Sequence, residues 1–218
     1  SDGGPGCRWV GNEKGFAGAT NWSFLRSGEV FPGYAKYREL QYGHADGNQW
    51  VAAECDVSIR PGWFYHPEED GRVKTVDQLT DLYYRSVGHN ATLLLNFPVD
   101  RNGLVHPVDS ANAVNFYKNI QQQLANNLLA GVVSTVSDER GGAFKAKAMT
   151  DGDYDTYWAT NDGVVSASIE FALPQASKVN RMLLQEYIPL GQRVKSFTVE
   201  YNYGGEWLPV KLNEETTT

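Results

Sequence analysis

The sequence has 218 residues, 41% of them hydrophobic and 21% charged, with a net charge of −7 at neutral pH. That length can bury one good core or two modest ones, and the acidic balance, without a Lys/Arg cluster to replace phosphate counterions, argues against nucleic acid or an anionic membrane as partner. No run approaches the eighteen or so apolar residues of a membrane span, and no basic-then-apolar signal opens the chain.

Residues 1–6, rich in glycine and beginning with Ser rather than Met, read as a loop entered partway, so the chain is expected to be part of a longer one. Residues 8–10 form a short apolar stretch ending in Gly11-Asn12-Glu13, and residues 51–59 read as a second strand stopped by Arg60-Pro61-Gly62. A helix follows. Thr75 with Gln78 makes a capping-box start, Val76, Leu79, Leu82, Tyr83 and Val87 make an apolar stripe, and Gly88 is the expected stop. Residues 91–97 are nearly all apolar, as in a parallel strand covered on both faces. A second helix is expected from about Asp109 or Ser110, with Val114, Tyr117, Ile120, Leu124 and Leu128 at helical spacing. Alternation of strands and helices in this half points to βα units around a parallel sheet.

Beyond about Gly131 the helical period gives way to short alternating stretches at 166–171, 181–185 and 196–203, the texture of an antiparallel sandwich. The boundary is expected between Leu129 and Asp138, giving segments 1–130 and 131–218. The tail 214–218 reads as an end inside that sandwich.

Two cysteines, Cys7 and Cys55, are too few for a disulfide scaffold and lack metal-site spacing. Two sequons, Asn21-Trp22-Ser23 and Asn90-Ala91-Thr92, read as chance occurrences. The four histidines show no ligand spacing, so no catalytic metal is expected.

A barrel places its reacting groups at the C-terminal ends of its strands, which singles out Glu13, Glu54, Asp56, Arg60, Asn96 and Asp100. Glycosidic hydrolysis needs two carboxyls, one protonated to release the leaving oxygen and one ionised to attack or to activate water. Glu13 and Glu54 are the candidates, against the plainer reading of salt-bridged or capping glutamates. Trp63, just after the Pro61-Gly62 turn, is the best candidate for a sugar-stacking platform, and Trp9 also lies near a strand end; core packing is the alternative for each. Arg60 is expected to be structural, tying loop carbonyls or Asp56. In the tail, Asp151, Asp153 and Asp155 alternate as in a Ca²⁺ loop, but Thr156 stands where an EF-hand needs Gly, so that motif is rejected.

Three stretches, Arg8-Trp9-Val10-Gly11-Asn12-Glu13, the run from Glu54 through Ile59-Arg60-Pro61-Gly62-Trp63-Phe64-Tyr65-His66, and Leu93-Leu94-Leu95-Asn96-Phe97-Pro98-Val99-Asp100, together resemble glycoside hydrolase family 29, the α-L-fucosidases. The resemblance implies an α/β fold, the C-terminal portion of a (β/α)8 barrel followed by a partial antiparallel β-sandwich. It is closest to the branch acting on α-1,3/1,4-fucosylated glycans by a retaining mechanism, with Glu13 as acid/base and Trp9, Glu54 and Trp63 as substrate-binding residues. The same resemblance places the nucleophile, an Asp, in a missing N-terminal barrel segment. The tail is similar to discoidin-like F5/8 type C modules, in which Asp151 and Thr156 would hold a structural Ca²⁺; no cofactor is implied for catalysis. The implied partner is a fucosylated oligosaccharide or glycoconjugate, and the implied location is periplasmic or secreted. The competing reading is a non-catalytic carbohydrate-binding protein, which a partner carboxylate about 5 Å from Glu13 would argue against.

Overall fold

The computed structural model describes residues 6–30 and 36–211; residues 1–5 of the opening loop and the expected sandwich end at 214–218 lie outside the described residues. The chain divides into two compact units, one running to Gln121 and resuming at Arg193, the other covering residues 122–192. No helix among the described residues is long and apolar enough to cross a membrane.

In the first unit, β1 (Cys7–Trp9) is followed by β2 (Phe24–Leu25) and β3 (Gln49–Trp50), which pair antiparallel, and then by β4 (Ala52–Ser58). Helix α1 (Val76–Ser86) leads into β5 (Ala91–Asn96), and α2 (Pro107–Gln123) follows. Strands β1, β4 and β5 form a parallel sheet in that order, with Trp9 opposite Glu54 and Glu54 opposite Thr92. Alternation along β4 turns Ala53, Cys55 and Val57 inward. There Val57 and Ile59 pack with Val73, Leu79 and Leu82, against Leu93, Leu95, Phe97 and Phe116. Gly15 lets its loop close on this core, since a Cβ there would stand 2.7 Å from Val57 and 3.0 Å from Leu82.

The capping box forms as the sequence predicts. The Gln78 backbone N–H donates to Thr75 Oγ1 (3.3 Å) and the Thr75 N–H donates to Gln78 Oε1 (2.9 Å). The stop differs. Gly88 lies within a 3-10 turn, Val87–His89, and the left-handed residue beyond it is Asn90, at φ 58°; its short amide side chain makes it one of the few non-glycine types that visits this region routinely. Strand β5 also departs from expectation: Leu93 and Leu95 pack inward while Leu94, 52% accessible, faces away from the core. On α2, Ile120 is buried, whereas Val114 and Tyr117 are exposed and Leu124 and Leu128 fall past the helix end.

A buried arginine joins the sheet to α2. Arg60, just beyond β4, donates Nε to Asp109 Oδ2 (2.8 Å) and Nη2 to Asp109 Oδ1 (2.9 Å), with both side chains removed from solvent. Nη1 pairs with Asp70 (2.9 Å) and donates to the His66 carbonyl (3.3 Å), and Tyr65 lies under the guanidinium. Pairing with Asp109 raises the Arg60 pKa above its ordinary value. The sequence reading offered loop carbonyls or Asp56 as partners; the carbonyl is found, and the carboxylates are Asp109 and Asp70.

The two sequons are also interlocked. Asn21 is buried and donates to the carbonyls of His89 (2.8 Å) and Asn90 (3.0 Å), while Asn90 donates to the Asn21 carbonyl and to Ser23 Oγ.

In the second unit β6 (Ser134–Val136) and β7 (Ile169–Phe171) pair antiparallel. Tyr157 stacks on Tyr187 at 4.3 Å between ring centroids and meets Phe144 at 5.0 Å. Residues 181–185, expected as a strand, form none. Strands β8 (Glu200–Tyr203) and β9 (Glu206–Pro209) make a hairpin within the first unit, shorter than the 196–203 strand expected.

Replacing Asp109 by Ala leaves the buried Arg60 without its bidentate partner, and a change of this kind costs about 3–5 kcal/mol. Urea unfolding of Asp109→Ala is expected to show a loss of that size; a loss below about 1 kcal/mol would remove the ion pair from its structural role.

Candidate active site

Cys7, Trp9, Glu54 and Asp56 lie on the face of the parallel sheet opposite the packed core, because their positions alternate with the buried Arg8, Ala53 and Cys55. Each polar group has a partner on the neighbouring strand. Cys7 Sγ donates to Glu54 Oε2 (3.3 Å), and Trp9 Nε1 donates to Asp56 Oδ1 (2.7 Å). Behind them Arg8 donates to the Trp22 carbonyl (2.7 Å) and to Asn21 Oδ1, and burial pushes its pKa down to about 10. It therefore stays charged at neutral pH.

Glu13 follows β1 on a loop closed by its own residues. Asn12 Oδ1 accepts from the Lys14 backbone N–H (2.9 Å), and Asn12 Nδ2 donates to the Phe16 carbonyl (3.1 Å), an Asx-type closure. This sets the exposed Glu13 carboxylate beside Trp63, whose Nε1 donates to Glu13 Oε2 at 3.0 Å. Trp63 is held in turn: Asn96, at the end of β5, donates Nδ2 to the Trp63 carbonyl (3.1 Å) and to Ser58 Oγ (3.1 Å). Three strand ends thus converge on one carboxylate. Next to it is an open depression of about 680 Å³, lined by Trp9, Glu13, Lys14, Arg38, Gln41 and Tyr42 among others.

The structure therefore joins Glu13 to Trp63 and places Trp9 in the same depression, whereas Glu54 is engaged by Cys7 further back along the sheet. Asp100 is spent on its own turn, accepting from the N–H groups of Asn102 (2.8 Å) and Leu104 (3.0 Å), which hold its pKa below the usual carboxylate range. Sequence reasoning missed Cys7, Arg38 and Tyr42. The last two belong to the 3-10 turn Tyr37–Gln41 and its C-cap, which no periodicity announces.

In the second unit Thr156 Oγ1 donates to Asp151 Oδ2 (2.8 Å), and the Asp153 N–H donates to Asp151 Oδ1 (2.9 Å). These bonds, the backbone one first, hold the Asp151 carboxyl below its ordinary pKa. Asp151 and Thr156 are brought together, but both carboxylate oxygens are used inside the turn. Among the described residues no three His, Cys, Asp or Glu side chains gather as a metal site.

The chain is similar over nearly its whole length to known proteins. The chain is 40% identical over 204 residues to a rice (Oryza sativa subsp. japonica) protein assigned as α-L-fucosidase 1, an alignment covering 92% of this chain and 39% of the rice protein. A Bacteroides thetaiotaomicron crystal structure, also assigned as an α-L-fucosidase, superposes with a TM-score of 0.91 at 40% identity over 97% of this chain and 46% of that one. A Ruminococcus gnavus family 29 fucosidase crystallised with fucose gives 0.83 at 35% identity, over 94% and 42% of the two chains.

The chain is homologous to family 29 α-L-fucosidases. Residues 132–218 also match the F5/8 type C domain. The chain spans less than half the length of these fucosidase relatives.

The two thiols of this fucosidase homologue differ in reach. Burial pushes the Cys55 pKa up to about 12, and Cys7 is raised chiefly by its bond to the Glu54 carboxylate. Because the thiolate is the nucleophile, iodoacetamide at pH 8 is expected to label Cys7 more slowly than a free thiol and Cys55 only on unfolding. Glu54→Gln is expected to speed Cys7 labelling several-fold; an unchanged rate would show that the contact does not govern the thiol.

Proposed function

We propose that this chain forms part of a retaining exo-α-L-fucosidase in which Glu13 is the general acid/base. The observation that carries the reading is the Glu13 carboxylate at the end of β1, aligned by the Trp63 indole N–H at 3.0 Å and open to a depression large enough for a saccharide. The parallel β1-β4-β5 sheet with its helices supports the portion of a (β/α)8 barrel that such an enzyme needs. The F5/8 match and the β6-β7 ladder support a sandwich in the tail. The substrate class is a fucosylated glycan, with α-1,3/1,4 linkages as the narrower proposal.

In this mechanism Glu13 gives its proton to the glycosidic oxygen as a carboxylate attacks the anomeric carbon. As carboxylate, Glu13 then takes a proton from water, which releases fucose. The indole N–H donates to Glu13 Oε2, so Trp63 orients the carboxyl. Glu54 and Asp56 are already engaged by Cys7 and Trp9. The attacking carboxylate is accordingly assigned to the part of the enzyme that the relatives possess outside the aligned stretch.

General acid/base groups contribute about 10²- to 10⁴-fold. In the whole protein, Glu13→Ala is expected to lose that much on natural fucosides, to be less impaired on aryl fucosides with activated leaving groups, and to be rescued by azide, which needs no base. Unimpaired turnover of natural fucosides by the variant would overturn the assignment. Glycan binding with no turnover by the wild type would favour a non-catalytic carbohydrate-binding protein.

A further inference from the structure

We propose that the depression beside Glu13 receives the leaving-group saccharide and that Lys14 and Arg38 select a saccharide bearing a negative charge. The inference rests on Glu13 being the acid. A proton delivered by Glu13 goes to the leaving oxygen, so the leaving sugar must lie on the open side of that carboxylate, and that side is the depression. Its volume of about 680 Å³ falls within the range of roughly 300–1,000 Å³ typical of small-ligand sites.

The far wall is built to hold one ring still. Tyr42 is 50% accessible, yet its inner edge rests on Gly18, where a Cβ would stand 2.5 Å from two ring carbons. Its backbone is tied on both sides, the N–H donating to the Glu39 carbonyl (3.1 Å) and the carbonyl accepting from the Trp22 N–H (2.8 Å). An aromatic ring fixed with a free surface is a platform for the apolar face of a sugar.

The charge of the lining runs against that of the chain. The protein carries −7, and nearby Arg26 and Lys36 are neutralised, the first by Asp46 and Glu29 and the second by Glu39. Among the described residues Lys14 and Arg38 have no ion-pair partner, and among the described lining residues Glu13 is the one carboxylate. With Glu13 protonated for the first step, the described lining residues offer the leaving group two positive charges, Lys14 and Arg38, and no carboxylate. A carboxylate or a sulfate ester on that saccharide would complete them, Arg38 with a planar fork and Lys14 as a point charge.

The test uses the complete protein and matched fucosylated oligosaccharides whose leaving portion is neutral, sialylated or sulfated. The acidic substrates are expected to exceed the neutral one in kcat/KM by about threefold to tenfold, as two exposed ion pairs provide, with the ratio shrinking as NaCl is raised. In the Lys14→Ala/Arg38→Ala double variant the ratio is expected to fall to about one, and the sialylated and sulfated arms show which anion is preferred. A wild-type ratio of one or below, or a ratio untouched in the double variant, overturns the proposal. Binding is read separately by titrating lactose and sialyllactose. Preference for sialyllactose that vanishes in the double variant supports the charge selection even if no substrate is turned over, an outcome that would instead remove the fucosidase reading; equal binding of the two sugars overturns the charge selection.

Discussion

The arrangement around Glu13 depends on one buried cation. Arg60 stands at the point where β4 ends, and its guanidinium gathers Asp109 from the first turn of α2, Asp70 from the 3-10 turn Pro67–Arg72 and the carbonyl of His66. A buried guanidinium is costly unless its donors are met. Here those donors are met by groups from two separate stretches, α2 and the 3-10 turn with its N-cap His66, so the loop between Arg60 and His66 is fixed at both ends. Trp63 sits in the middle of that loop. The indole that orients Glu13 therefore inherits its position from an ion pair that never meets solvent.

The sheet adds a second constraint. Its covered face is apolar apart from Arg8, and its other face carries Cys7, Trp9, Glu54 and Asp56, paired across strands by hydrogen bonds. A mid-strand carboxylate accepting from a neighbouring strand is held in register. Glu13, placed after the strand on an Asx-closed loop, keeps its second oxygen clear of the indole contact. The division of labour between Glu54 and Glu13 follows from where β1 stops.

Much of this was legible in the residues. The capping box and the three parallel strands follow from local chemistry, and the motifs single out Glu13 and Trp63, which the structure joins by a hydrogen bond. What was not legible depends on contacts distant in sequence. Asp109 lies 49 residues from Arg60 and reads as an ordinary first-turn carboxylate. Tyr42 and Arg38 come from a 3-10 turn too short to show a period. The apolar run at 91–97 suggested two covered faces, but composition cannot tell which side of a strand has a neighbour, and Leu94 has none from the packed core. Gly88 drew the helix stop toward itself because glycine is the commonest left-handed residue, while Asn90 is tied down by Asn21 and Ser23 and takes the role instead.

In any route that glycosylates nascent chains, that tie would set folding against modification. Oligosaccharyl transfer acts on extended nascent chain, where Asn21-Trp22-Ser23 and Asn90-Ala91-Thr92 are both accessible acceptors. In the finished fold the Asn21 amide is enclosed and satisfied by the carbonyls of His89 and Asn90, and the Asn90 amide is directed back at Asn21 and Ser23. A glycan installed on Asn21 before folding would have no volume to occupy, and the substituted amide would keep only one N–H for two carbonyls. The same gene expressed through a glycosylating secretory route would thus divide into molecules that folded first and molecules that were modified first, and only the former could close the start of β5 against the Asn21 segment.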